Sequence, residues 1–244
     1  MDFESEINKR LAEMKNSEDP NATLWPEKCM GSRKSLVIFV GPSPGGDVEL
    51  DRRPRKLHYE KPLWNIPYME PIQEWSTGFK QSFKPIVEEV LGQDYEISGR
   101  LVSVVNMDWM QNPESKNVVR EHMKEGCSHI LPVIKETKPL LIIPMDQKTF
   151  NLFKAALIID GFDLDPIVED EVYIKIYEKD GNIAEHSNIK AFKANKDNLS
   201  FLVINSFQHP SHIYNKEYAT RIGKAIRLAA DQIWNNKPVR LIFK

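Results

Sequence analysis

Three short turns hold the residues whose types and spacing suit chemistry. Gly41-Pro42-Ser43-Pro44-Gly45-Gly46 packs three glycines and two prolines into six residues. That composition makes a rigid turn whose backbone can come close to a ligand. Asn106-Met107-Asp108-Trp109 offers an amide and a carboxylate, and Ser206-Phe207-Gln208-His209-Pro210-Ser211-His212 offers two imidazoles and two hydroxyls. Asp47 is the nearest carboxylate beyond the first turn, ahead of Glu49 and Asp51. The basic cluster Arg52, Arg53, Arg55 and Lys56 follows, and it reads either as a solvated loop or as a set of phosphate contacts. The Pro-rich stretch from Asp47 to Trp75 is long for a loop inside a compact domain, and such loops are functional or disordered. Its aromatics, among them Tyr59, Trp64 and Tyr68, argue against disorder and suit a core as well as a stacking surface.

Each of the three turns follows a run that reads as a buried strand. Ser35–Val40, Leu101–Val105, Leu140–Pro144 and Phe201–Asn205 are continuously apolar and rich in β-branched residues. Such runs mark strands covered on both faces, as in a parallel sheet. Between them, apolar spacing predicts helices over Phe79–Leu91, closed by Gly92, over Glu114–Lys138, ended by Pro139, over Lys148–Ile159 and over Lys216–Trp234. Phe3, Ile7, Leu11 and Met14 carry helical periodicity at the N-terminus, and alternation around Asp180-Gly181 predicts a hairpin. The pattern predicts a three-layer αβα sandwich with a central, mostly parallel four-stranded sheet. One domain is expected over residues 1–244, with an N-terminal helix and lead-in over 1–34 and a hairpin-containing insertion over 165–200. Ligands of open α/β sheets sit outside the carboxyl ends of the strands, which is where the unusual residues fall.

Composition bounds the function. The 244 residues are 41% hydrophobic and 28% charged, the balance of an ordinary globule with enough apolar material for one large domain. No apolar run nears the roughly 18 residues that a membrane helix needs. The opening twenty residues are polar and acidic without a signal-like apolar centre, so a cytoplasmic protein is expected. Two cysteines, Cys29 and Cys127, cannot build a disulfide framework or a cysteine-only metal site. A formal charge of −2 excludes a polycation, so any nucleic-acid contact must rest on a local basic patch.

In order and content, these elements resemble the uracil-DNA glycosylase superfamily. VIFVGPSPGG is similar to that family's first motif and INSFQHPS to its second. VSVVNMDWMQNPES resembles the segment in which a strand ends in Asn before a Pro-containing loop, and CSHILPVIKETKPLLIIPM the helix and strand that follow. The likeness runs from about Ser35 to Trp234 and rests on four ordered elements rather than one motif. It departs from the family at the second and third positions of the first motif, where several members carry a carboxylate or Asn to place the hydrolytic water. Pro42 and Ser43 stand there, and neither is a carboxylate base. Branches with an iron–sulfur cluster use four cysteines, so with two no cluster and no other cofactor is expected.

The resemblance implies a DNA glycosylase that flips a damaged or modified pyrimidine, uracil by default, and hydrolyses its N-glycosidic bond. It implies that His209 donates to a base carbonyl and stabilises the departing anion, as an oxyanion donor does. His209 also fits a purely structural role at the end of the last strand. Asn106 would read the Watson–Crick edge, or simply form a turn; its amide offers a donor and an acceptor. Tyr59, Trp64 or Tyr68 would stack on the flipped base. Asp47 would activate water, with Asp108 across the cleft as a fallback, while Gly41, Ser43, Pro44 and Gly45 would line the base. Ser211, His212 and the Arg52, Arg53, Arg55, Lys56 cluster would hold the DNA backbone. The expected partner is DNA and the expected state a monomer that binds no membrane. Because the first-motif carboxylate is missing, a glycosylase-like protein that binds nucleic acid or a nucleotide without turnover is the alternative.

Overall fold

A computed structural model describes residues 29–31, 35–42, 77–94, 101–107, 120–166, 172–177, 183–184, 190–205, 216–235 and 239–243, together with Ser5, Asn8 and Ile213. Its strands are β1 (Cys29–Gly31), β2 (Val37–Gly41), β3 (Val102–Asn106), β4 (Leu141–Pro144), β5 (Asp163–Pro166), β6 (Val172–Tyr177), β7 (Ile183–Ala184), β8 (Ala191–Lys196), β9 (Leu199–Ile204) and β10 (Val239–Phe243). Its helices are α1 (Thr77–Leu91), α2 (Arg120–Thr137), α3 (Gln147–Ile159) and α4 (Lys216–Trp234). Ser5 and Asn8 are helical; the rest of the expected N-terminal helix, and residues 114–119 of the expected second helix, lie outside the described residues.

The four apolar runs form the centre of one sheet. β3, β2, β4 and β9 lie side by side in that order, all parallel. Every residue of β2, β3 and β4 is buried, because helices cover both faces. Along β2, Val37 and Phe39 enter a core made with Phe83, Ile86 and Val90 of α1 and Ile222, Ile226 and Ala229 of α4. Ile38 and Val40 enter the opposite core with Met123, Cys127 and Ile130 of α2 and Phe150 and Phe153 of α3. Phe39 and Phe83 meet edge to face with ring centroids 4.7 Å apart. Truncating either ring to Ala would cost about 3–5 kcal/mol. The two helical layers and the sheet between them make the three-layer sandwich.

The sheet is larger than the four strands expected. β8 pairs antiparallel with β9 and β5 antiparallel with β8, giving six strands, and the three-residue β1 adds a short antiparallel edge to β3, seven in all. Local composition hides these additions. β5 reads DLDP, with two acidic residues and a proline, as suits an edge strand guarded against further pairing. β8 reads AFKANK, with Lys193, Asn195 and Lys196 only partly buried, so it lacks the continuous apolar signal of its neighbours. The hairpin expected near Gly181 forms as the antiparallel β6–β7 pair. Within the stretch 165–200, β8 belongs to the central sheet and the β6–β7 pair to a second one. β10, which sequence periodicity did not single out, runs parallel to β6 in a second, three-stranded sheet that meets α4.

Parallel pairing brings the carboxyl ends of β2, β3, β4 and β9 to one edge. From β2 the chain passes through α1 to β3 on one side; from β3 it returns across β2 through α2, on the other face, to β4. A single crossover hand requires this exchange of faces when the direction reverses. The reversal falls between β2 and β4, the place in an open sheet where ligands bind. Among the described residues no helix is long and apolar enough to cross a membrane.

Candidate functional site

Gly41 and Asn106 stand opposite each other at the ends of β2 and β3. The Met107 N–H donates to the Gly41 carbonyl at 2.9 Å, and the Met145 N–H, just past β4, donates to the Val40 carbonyl at 2.8 Å. These bonds extend the ladder beyond the strands and hold the ends of β2, β3 and β4 in fixed register. Strand alternation turns Asn106 to the same side as Val102 and Val104, which face the α1 and α4 layer. Met145 packs in that same core.

The Asn106 amide lies over Gly41. A Cβ built on Gly41 would overlap Asn106 Oδ1 and meet Met145 Cε at 3.6 Å. Asn106 is 8% exposed, one of few buried polar side chains in a strand-end setting of valine, methionine and glycine. No described residue hydrogen-bonds this amide. A buried amide retains its donor and acceptor strength, so it suits recognition of a polar edge brought to it. Pro42, also buried, follows directly and brings neither a carboxylate nor an N–H to the position.

The fourth strand end is built differently. The Asn205 N–H donates to the Lys190 carbonyl at 3.0 Å, and Asn205 Nδ2 donates to Gln147 Oε1 at 3.4 Å. Gln147 Nε2 donates in turn to Asn151 Oδ1 at 2.9 Å, while Asn205 Oδ1 is buried without a partner among the described residues. Gln147 opens α3, whose N-cap is Asp146; the Asp146 carboxylate accepts from the Thr149 N–H at 2.7 Å. Beyond β9, Ile213 is buried in the α1 and α4 core, and its carbonyl accepts a hydrogen bond from the Ser82 hydroxyl of α1. Asn205 and Ile213, the described residues on either side of 206–212, lie at the end of β9 and on the layer that Asn106 faces.

Of the residues singled out from sequence, Gly41 and Asn106 are described, and the fold brings them into contact. Ser43, Pro44, Gly45, Asp47, Arg52, Arg53, Arg55, Lys56, Tyr59, Trp64, Tyr68, Asp108, His209, Ser211 and His212 lie outside the described residues. Met145, Asp146, Gln147 and Asn205 join the strand-end edge without having been singled out. Their signal was present: Asp146 precedes a helix at capping distance from Thr149, and Asn205 ends an apolar run as Asn106 does.

Away from the strand ends, two described titratable groups, Cys127 and Asp160, are shifted from their ordinary values. Burial pushes the Cys127 thiol up to about 12, so it stays protonated and is no nucleophile at neutral pH. Burial works to raise the Asp160 carboxyl as well, but hydrogen bonds and charge from Lys135 and Lys196 outweigh it and hold it below the usual range. Among the described residues no group of three or more His, Cys, Asp or Glu side chains is placed to hold a metal ion. Compared with known proteins, the chain matches no protein-family model and no curated protein significantly.

Proposed function

We propose that this protein is a DNA glycosylase of the uracil-DNA glycosylase type, which everts a damaged or modified pyrimidine and hydrolyses its N-glycosidic bond to leave an abasic site. The observation that carries the reading is the buried Asn106 amide set over Gly41, at the edge where the carboxyl ends of four parallel strands lie. An amide in an apolar, water-poor setting discriminates strongly among base edges, because a wrong edge leaves it unpaired at a cost of about 1–3 kcal/mol. The segment holding His209 joins Asn205 to Ile213, the latter packed on the layer that Asn106 faces, which suits an imidazole serving the same cleft. There, as the bond breaks, His209 donates to a base carbonyl and takes up the charge of the leaving group. Asp47 activates the water, Ser43, Pro44 and Gly45 line the base, and one of Tyr59, Trp64 and Tyr68 stacks on it. Asp108 serves as the reserve carboxylate. Ser211, His212 and the Arg52, Arg53, Arg55, Lys56 cluster hold phosphates.

The test is incubation with oligonucleotides carrying uracil, hypoxanthine, thymine mismatches, or hydroxymethylated or glucosylated cytosine, followed by alkaline strand scission. Scission at uracil, a mismatched thymine or a modified cytosine supports the reading, scission at hypoxanthine alone overturns its pyrimidine preference, and Asp47→Asn lowers the rate if that carboxylate handles the water. Pro42 favours a second reading, recognition of nucleic acid or a nucleotide without turnover, since it removes the family's water-placing group. Base-dependent binding with no alkali-labile product on any substrate selects that reading instead.

A further inference from the structure

Asn106 Oδ1 occupies the volume that a side chain at position 41 would need. A Cβ there would overlap that oxygen, well inside the 3.0 Å that real Cβ contacts respect. The backbone has little room to yield. The Gly41 carbonyl is engaged by the Met107 N–H at 2.9 Å and the Val40 carbonyl by the Met145 N–H at 2.8 Å, so position 41 is pinned from both neighbouring strands. On the remaining side, Met145 Cε would lie in ordinary contact at 3.6 Å. The group that must move is the Asn106 amide. One end of the amide lies against Gly41, with Cγ 3.6 Å from the same point.

We infer that Gly41 is a positioning residue for Asn106: by having no side chain, it leaves the space in which the amide is seated against β2, and so fixes where that amide meets a base edge. The inference rests on the reading of Asn106 as the group that meets the base. It assigns Gly41 a role distinct from turn flexibility, because the requirement comes from a side chain on another strand.

A double-mutant cycle tests it, using the full chain and four forms: wild type, Gly41→Ala, Asn106→Ala and the double variant. In thermal unfolding, Gly41→Ala lowers the midpoint by about 5 °C when Asn106 is present and leaves it nearly unchanged when Asn106 is Ala. Equal losses in the two backgrounds overturn the inference. If Gly41→Ala alone does not fold, a double variant that folds supports the inference, and one that does not fold overturns it. The side-chain amide resonance of Asn106 shifts in Gly41→Ala; an unmoved resonance overturns the seating. Binding to a uracil-containing oligonucleotide weakens on the order of tenfold in Gly41→Ala, and the double variant binds no worse than Asn106→Ala. Wild type that neither binds nor cleaves any of the base-modified oligonucleotides defeats the proposed function, and with it any role of the seated amide toward a base. Wild type that binds, with the Gly41→Ala loss undiminished in the Asn106→Ala background, defeats the positioning role alone.

Discussion

The Ser82 hydroxyl donates to the Ile213 carbonyl, joining residues 131 positions apart in the chain. Both are 2% exposed, so the bond sits in the core between α1 and the residue that closes the segment 206–212. Removing the donor leaves a buried carbonyl short of a partner, at a cost of about 1–3 kcal/mol. Ser82→Ala is expected to unfold at lower denaturant by that amount, with Ser82→Thr restoring most of it. A denaturation midpoint equal to wild type in Ser82→Ala would show that the bond contributes nothing.

His209→Ala is expected to slow abasic-site formation by about 10²–10³-fold on whichever base the wild type removes, the typical loss for one donor to a developing anion. Binding of the intact oligonucleotide changes little, because the donor acts chiefly on charge that appears as the bond breaks. Single-turnover kinetics with matched binding measurements separate the two effects. An unchanged rate assigns the leaving group to another residue.

Replacing Arg52, Arg53, Arg55 and Lys56 together by Gln is expected to weaken DNA binding most at low salt. The slope of log affinity against log salt becomes shallower by about 0.9 for each duplex phosphate that the variant no longer neutralises. Titrations at several salt concentrations measure it directly, and identical slopes return the cluster to plain solvated surface.

Asp160 lies between Lys135 Nζ at 2.9 Å and Lys196 Nζ at 3.1 Å, tying the end of α3 to α2 and β8. Its folded pKa is lowered, so the stability it adds is present above the unfolded value near 4 and is lost as pH falls through the folded value. The pair is partly exposed, so the screened contribution is about 0.2–1 kcal/mol. Asp160→Asn is expected to lose that amount at neutral pH and to match wild type near pH 2. Urea titrations at both pH values provide the check, and a difference that persists in acid contradicts the ionic account.

Much of this architecture is written in local pattern. Val37–Gly41, Val102–Asn106 and Leu141–Pro144 are apolar along their length, and a strand of that kind is stable only between two covering layers, so the sandwich follows. The bounds of α4, Lys216–Trp234, follow from apolar spacing alone, and the β6–β7 pair from alternation about Asp180-Gly181. Asn106 and the turn beginning at Gly41 stand out as polar or conformationally special residues at the ends of such runs. What chain order does not contain is which strands become neighbours. That β2 lies between β3 and β4, that Gly41 faces Asn106, and that β5 and β8 widen the sheet were decided by pairing between distant segments. The half-polar strands gain their stability from partners rather than from their own composition. For the same reason the demand for glycine at position 41 is invisible locally: it is set by an amide that reaches it only after two strands far apart in the chain have aligned.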